Sequence, residues 1–291
     1  MSIFRGSAVA IVTPFQNGSV DFMAFTRLIE LQIANHTDAI VCCGTTGESS
    51  TMSLDERLNV IQFVVERVNG RIPVIAGTGC NNTQEVIANS KSAEAIGVDG
   101  LLIVTPYYNK TTQQGLIRHY FAVADSVDTP ILVYNVPSRT GLNVQPQTMV
   151  ELCGHENIVG IKEASGNIEQ IVTLASLCSK CDIYSGNDDQ VVPILSIGGK
   201  GVISTIANVV PGEMHAMCDA FFKGDVALAR DLQLQLVPIW KAAFCEVNPI
   251  PVKAMMGLMQ LCEPDVRLPL VPPSAASMRL IEETLKAYEL I

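Results

Sequence analysis

The 291-residue sequence predicts an α/β fold, a (β/α)8 TIM barrel with a C-terminal helical appendage. Three observations carry that expectation. Short apolar runs of strand length alternate with longer amphipathic stretches, the pattern of repeated βα units around a parallel sheet. Eight such runs can be counted, the number that closes a barrel. The first run leads into IVTPFQNG, which lacks the glycine-rich phosphate turn usual in the competing open, doubly wound sheet.

In chain order the runs are SAVAIVT from Ser7, AIVCC from Ala39, PVIAG from Pro73, LLIVT from Leu101, ILVYN from Ile131, IVGIK from Ile158, DIYSG from Asp182 and GVIST from Gly201. Helical stretches lie between them. LDERLNVIQFVVERV follows Ser53, a good N-cap, and TQEVIANSKSAEAIG places Thr83 as cap and Gly97 as stop. From about Gly224 the strand signal ends, and helical segments follow, split by NPIPVK and by LPLVPP. The expected organisation is therefore a catalytic barrel over residues 1–223 and a helical region over 224–291.

With 48% hydrophobic and 16% charged residues, the chain can bury one large core. A net charge of −10 without any Lys/Arg run argues against nucleic acid or an anionic membrane surface and favours small-molecule partners. The opening MSIFRGSAVAIVTP is too short in apolar residues for a signal segment, and no stretch reaches the ~18 unbroken apolar residues of a spanning helix, so a cytoplasmic location is expected. Nine cysteines, scattered through apolar runs, fit reduced buried thiols rather than a disulfide framework. Cys178 and Cys181 form a C-x-x-C without a second ligand pair nearby, and His36, His119, His155 and His215 show no ligand spacing. No metal site is expected from this spacing.

A barrel gathers the C-terminal ends of its strands on one face, where reactive residues should therefore cluster. The second run ends in GTTGES (Gly44 to Ser49), the fourth in PYYN, the fifth in YNVPSRTG and the sixth in Lys162. Strand alternation puts Gly160 and Lys162 on one face and Val159, Ile161 and Glu163 on the other, so Glu163 is no easy partner for the lysine. An ammonium among barrel-lining groups is poorly solvated. Its pKa falls, and the neutral amine can attack a carbonyl to form an imine. Tyr134 can carry protons to and from the carbinolamine, Thr45 and Thr46 with adjacent N–H groups can hold a small carboxylate, and Arg139 can fork a second one. The plainer alternatives are a lysine that reaches the rim or pairs with an acid of another strand, a core tyrosine, and a turn that simply caps a helix.

GTTGES, TPYYN, YNVPSRTG, GIKEASG and NPIPVK together make the chain, over essentially its whole length, resemble the dihydrodipicolinate synthase family of pyruvate-dependent class I aldolases and lyases. The resemblance implies a barrel with a C-terminal helical region and a Schiff-base lysine on the sixth strand, where Lys162 stands. It implies condensation of pyruvate, held as an imine and then an enamine, with aspartate 4-semialdehyde in the diaminopimelate and lysine pathway, with no metal or organic cofactor needed. It makes Tyr134 the general acid and base, relayed through Thr45 to Tyr108, which in the family reaches into the neighbouring subunit's site. A homodimer at least, with a homotetramer usual in the family, is therefore implied. Thr45 and Thr46 would bind the pyruvate carboxylate, Arg139 that of the aldehyde, and Gly186 and the carbonyl of Ile203 would line the site. Asn187 stands where some relatives carry an acid.

The resemblance also implies an effector site for lysine in sensitive relatives, at residues corresponding to Ser49, Ser50, Asn81, Glu85 and Tyr107. Where those relatives carry histidines this chain has Leu54 and Arg57, so weak or absent inhibition is expected; an Arg57 pointing into solvent would instead leave inhibition intact. A sister lyase such as N-acetylneuraminate lyase or a sugar-acid aldolase is the competing activity, and Arg139 argues against it, since a polyhydroxylated chain calls for hydroxyl-binding groups. A metal-dependent aldolase lacks ligands, and a noncatalytic barrel would not need Lys162 and Tyr134 together.

Overall fold

The computed structural model describes residues 2–291, in which eight parallel strands close a barrel. They are β1 (Gly6–Ala10), β2 (Ala39–Cys42), β3 (Val74–Gly77), β4 (Gly100–Val104), β5 (Ile131–Asn135), β6 (Ile158–Glu163), β7 (Asp182–Ser185) and β8 (Gly201–Ser204). Each pairs with the next, and β8 returns to β1 through Ala8 opposite Ile203. All eight apolar runs are strands of this sheet.

Period-2 alternation divides the strand residues into two packed layers. Ala8, Val41, Ile75, Leu102, Leu132 and Tyr184 fill the barrel interior, while Val9, Ile40, Leu101, Val133, Ile161 and Val202 face the helices. One expectation fails here. Between β5 and β6 the register shifts, Ile131 opposing Ile158 and Leu132 opposing Gly160, so Val159 is an extra residue in a bulge and packs against the interior cluster rather than beside Ile161. The alternation resumes after the bulge, which leaves Lys162 facing inward and opposite Tyr134.

The helices are α1 (Phe22–Ala34), α2 (Leu54–Val68), α3 (Thr83–Ile96), α4 (Gln113–Ala124), α5 (Pro137–Thr140), α6 (Pro146–Leu152), α7 (Ile168–Leu177), α8 (Val191–Ser196) and α9 (Pro211–Phe222). After the barrel come α10 (Val226–Gln235), α11 (Val237–Ala243), α12 (Ile250–Leu258) and α13 (Ala275–Ala287). Ser53 caps α2 in a capping box with Glu56, as its sequence implies. For α3 the cap is Asn82, whose side chain accepts from Gln84 N, and Thr83 is the first helical residue; Gly97 ends it in the left-handed region at φ 94°. NPIPVK both separates and opens helices: Asn248 and Pro249 end the link from α11, and Ile250 starts α12, with Pro251 in the first turn, where a missing N–H leaves no bond unmade. The segment between α11 and α12 crosses the mouth of the barrel and delivers Phe244 and Asn248 to the cavity there.

Candidate active site

The C-terminal strand ends enclose a cavity of about 230 Å³ whose lining includes Lys162, Tyr134, Thr45, Thr46, Arg139 and Gly186. These six, named from sequence on separate loops and strands, are brought together. Lys162 is only 6% exposed, and its Nζ lies 4.5 Å from the centre of the Tyr134 ring. Burial lowers its pKa to about 8; the nearby Asp188 carboxylate opposes that fall and Arg139 adds to it. Among the described residues Lys162 forms no salt bridge. At about pH 7.5 roughly a quarter of such an amine is neutral, against about a thousandth at an ordinary lysine pKa.

Glu163, as its face requires, points away: its carboxylate accepts from Asn135 Nδ2 at 3.0 and 3.1 Å and from Ser165 N at 2.7 Å. Gly186 leaves no room for a side chain, since a Cβ there would lie 2.7 Å from Ala164 Cβ, 3.1 Å from the Glu163 carbonyl oxygen and 3.2 Å from Lys162 Cε. Burial raises the pKa of the Tyr134 phenol, while the Arg139 charge and a hydrogen bond with Thr45 pull it down. A buried phenol of this kind stays protonated at neutral pH and can donate to a departing oxygen.

Arg139 is set by the short helix α5, which Pro137 starts and Gly141 ends. Its Nη2 donates to the backbone carbonyl of Asn248 at 3.1 Å. Asn248 Nδ2 donates to Thr46 Oγ1 at 2.9 Å, while its Oδ1 is buried without a partner. Asp188, just beyond the β7 end, uses Oδ2 to accept from the N–H groups of Thr205 and Ile206, each at 3.1 Å, and its Oδ1 is likewise unpartnered. Asn248, Phe244 and Asp188 were not among the residues singled out from sequence. Asp188 stands two residues beyond the DIYSG run, and an acid at a strand end was the available signal for it; nothing local marks Asn248. Ile203 is buried in the interior layer and does not line the cavity, whereas Thr205 does; Asn187 lines it too.

A second cavity of about 650 Å³ adjoins the first, sharing Thr45, Tyr134 and Arg139, and is lined by Ser49, Ser50, Tyr107 and Tyr108. Tyr108 is 91% exposed and stands at φ 68°, in the left-handed region that a bulky residue rarely adopts. Asn81 and Glu85 do not line this cavity: the Asn81 carbonyl accepts from Asn109 Nδ2 at 3.0 Å, and Glu85 takes the Cys80 thiol at 3.5 Å and Asn82 Nδ2 at 3.3 Å. Leu54 is exposed and also lies outside it. Arg57 does line it, half-buried, with its Nε buried and unpartnered.

The family model for the dihydrodipicolinate synthetase family matches residues 3–288. The chain belongs to the dihydrodipicolinate synthetase family. It is 55% identical over 289 residues to the 4-hydroxy-tetrahydrodipicolinate synthase of Caldicellulosiruptor bescii, covering 99% of this chain and 98% of the relative. Identity to the enzyme of that name from Clostridium tetani is 53% over 293 residues, with both chains covered in full at 100%. The crystal structure of dihydrodipicolinate synthase from Thermotoga maritima superimposes with a TM-score of 0.98 at 44% identity, covering 100% of both chains. Among the described residues of this family member, no group of three or more His, Cys, Asp and Glu side chains is arranged to hold a metal, and all nine cysteines, Cys178 and Cys181 included, are free. Among the described residues no helix is long and apolar enough to cross a membrane.

Proposed function

We propose that the chain condenses pyruvate with aspartate 4-semialdehyde to give 4-hydroxy-tetrahydrodipicolinate, the reaction named for its relatives and one step of the diaminopimelate route to lysine. The observation that carries this reading is a buried amine of lowered pKa, beside a protonated phenol, in a cavity that also holds an arginine. Neutral Lys162 Nζ attacks C2 of pyruvate, the Tyr134 hydroxyl protonates the carbinolamine oxygen, and water leaves to form the imine. Loss of a C3 proton gives the enamine, which attacks the aldehyde carbon of the second substrate. The amino group of that substrate then displaces Lys162 from the imine carbon, closing the ring and freeing the lysine. One water is released overall.

In this reading Thr45 and Thr46 hold the pyruvate carboxylate and Arg139 that of the aldehyde. Tyr108 serves a neighbouring subunit's site through Thr45, which the solvent exposure of its side chain permits and which requires at least a dimer; a tetramer is the family's usual form. Residues 1–223 supply the chemistry, and 224–291 complete the cavity wall through Phe244 and Asn248. Nine free thiols fit a reducing, cytoplasmic setting. A sugar-acid lyase is the weaker reading, since Arg139 sets a cation, not a hydroxyl-binding group, against the cavity.

Arg139→Met tests the division of labour. Borohydride trapping of pyruvate should persist, while kcat/KM for the aldehyde falls roughly 10- to 100-fold, the scale of a lost charge-assisted contact. Equal loss of both steps would refute the assignment. For the effector site, Arg57 faces the cavity as a fixed cation, and Glu85 is engaged with Cys80 and Asn82. Half-maximal inhibition by lysine is therefore expected only above about 1 mM, and a steady-state titration giving a lower value would overturn the argument.

A further inference from the structure

The loop that carries Thr45 and Thr46 is gripped from the C-terminal region by an ion pair with no access to solvent. Lys253 Nζ on α12 lies 2.6 Å from Glu48 Oε1, and both side chains are 0% exposed. The other carboxylate oxygen of Glu48 accepts from Arg267 N at 3.0 Å. Arg267 is itself held, forking Glu56 at 2.7 and 2.9 Å, and the Lys253 and Arg267 cations lie 4.3 and 4.2 Å from the centre of the Phe15 ring. Glu48 ends the turn that presents the two threonines: its N–H donates to Thr45 O at 3.1 Å, and its backbone stands in the left-handed region at φ 55°. Two residues of one tight turn are thus fixed from the C-terminal region, Thr46 by Asn248 and Glu48 by Lys253, and Thr45 is tied to the same turn as the acceptor of the Glu48 N–H.

We infer that the Glu48–Lys253 pair is a positioning device for the carboxylate-holding loop, so that the C-terminal region sets the affinity for the first substrate. The inference rests on the proposed roles of Lys162, Thr45 and Thr46. A purely stabilising pair would be a poor use of two buried charges, because apolar side chains of similar volume stabilise a fold as well or better. What the carboxylate adds is direction: two acceptors aimed at two donors hold the turn against rotation, which a methyl-lined contact cannot do.

The test compares wild type, Glu48→Gln and Glu48→Gln/Lys253→Met in three measurements: Tm, the pyruvate concentration for half-maximal borohydride trapping, and KM for the aldehyde. Glu48→Gln leaves a buried ammonium unpaired and should lower Tm by roughly 5 to 15 °C. It should also raise the half-saturating pyruvate about tenfold, with KM for the aldehyde within about twofold, the scale of one lost bond to a bound carboxylate. The double variant carries no unpaired charge and should recover most of the Tm while the pyruvate shift remains. Recovery of both in the double variant would overturn the inference, and if the single variant does not fold, the double variant alone decides. A wild type that traps no pyruvate at all would overturn the functional reading and this role with it.

Discussion

Lys162→Arg is expected to cut turnover by at least about 10³-fold and to abolish borohydride trapping. Burial lowers the pKa of the amine to about 8, which leaves an appreciable neutral fraction near neutral pH. A guanidinium keeps its charge under the same burial and has no free lone pair to offer a carbonyl carbon. The same pKa fixes the sign of the pH dependence: imine formation should rise as pH increases towards about 8 and level off above it, since only the deprotonated amine attacks. Single-turnover trapping across that range, with Tm monitored at each pH, measures it.

Tyr134→Phe is expected to lower kcat by about 10²- to 10⁴-fold, the usual scale for a positioned proton donor, with little change in Tm. The ring is held by packing in the barrel interior and by the strand pairing of Tyr134 opposite Lys162, none of which needs the hydroxyl. Pyruvate should still bind, so the loss should fall on kcat rather than on KM. A kcat within about tenfold of wild type would show that another group, or water, carries the proton.

The strands were legible because each is a bounded apolar run rich in branched residues, and eight of them with helical spacers admit few architectures. Lys162, Tyr134 and Arg139 were legible because they sit at the ends of those strands, where the fold itself assembles the site. What escaped was non-local. Asn248 meets Thr46 across 202 residues and Lys253 meets Glu48 across 205, so no short window contains both partners. The bulge at Val159 is a property of the β5–β6 pairing, invisible in the β6 sequence alone. Asn82 and Thr83 are adjacent and both able to cap, and which one does so depends on where the chain leaves β3. Arg57 reads as an exposed helix arginine until the Tyr107 loop is seen to close a cavity against it.

One measurement bears most directly on imine chemistry at the sixth strand: reduction with borohydride in the presence of pyruvate, followed by a peptide map. A single three-carbon adduct on Lys162, absent in Lys162→Arg, is the expected result. An adduct on another lysine, or no adduct with folded enzyme at saturating pyruvate, would contradict the assignment of Lys162 as the reacting amine.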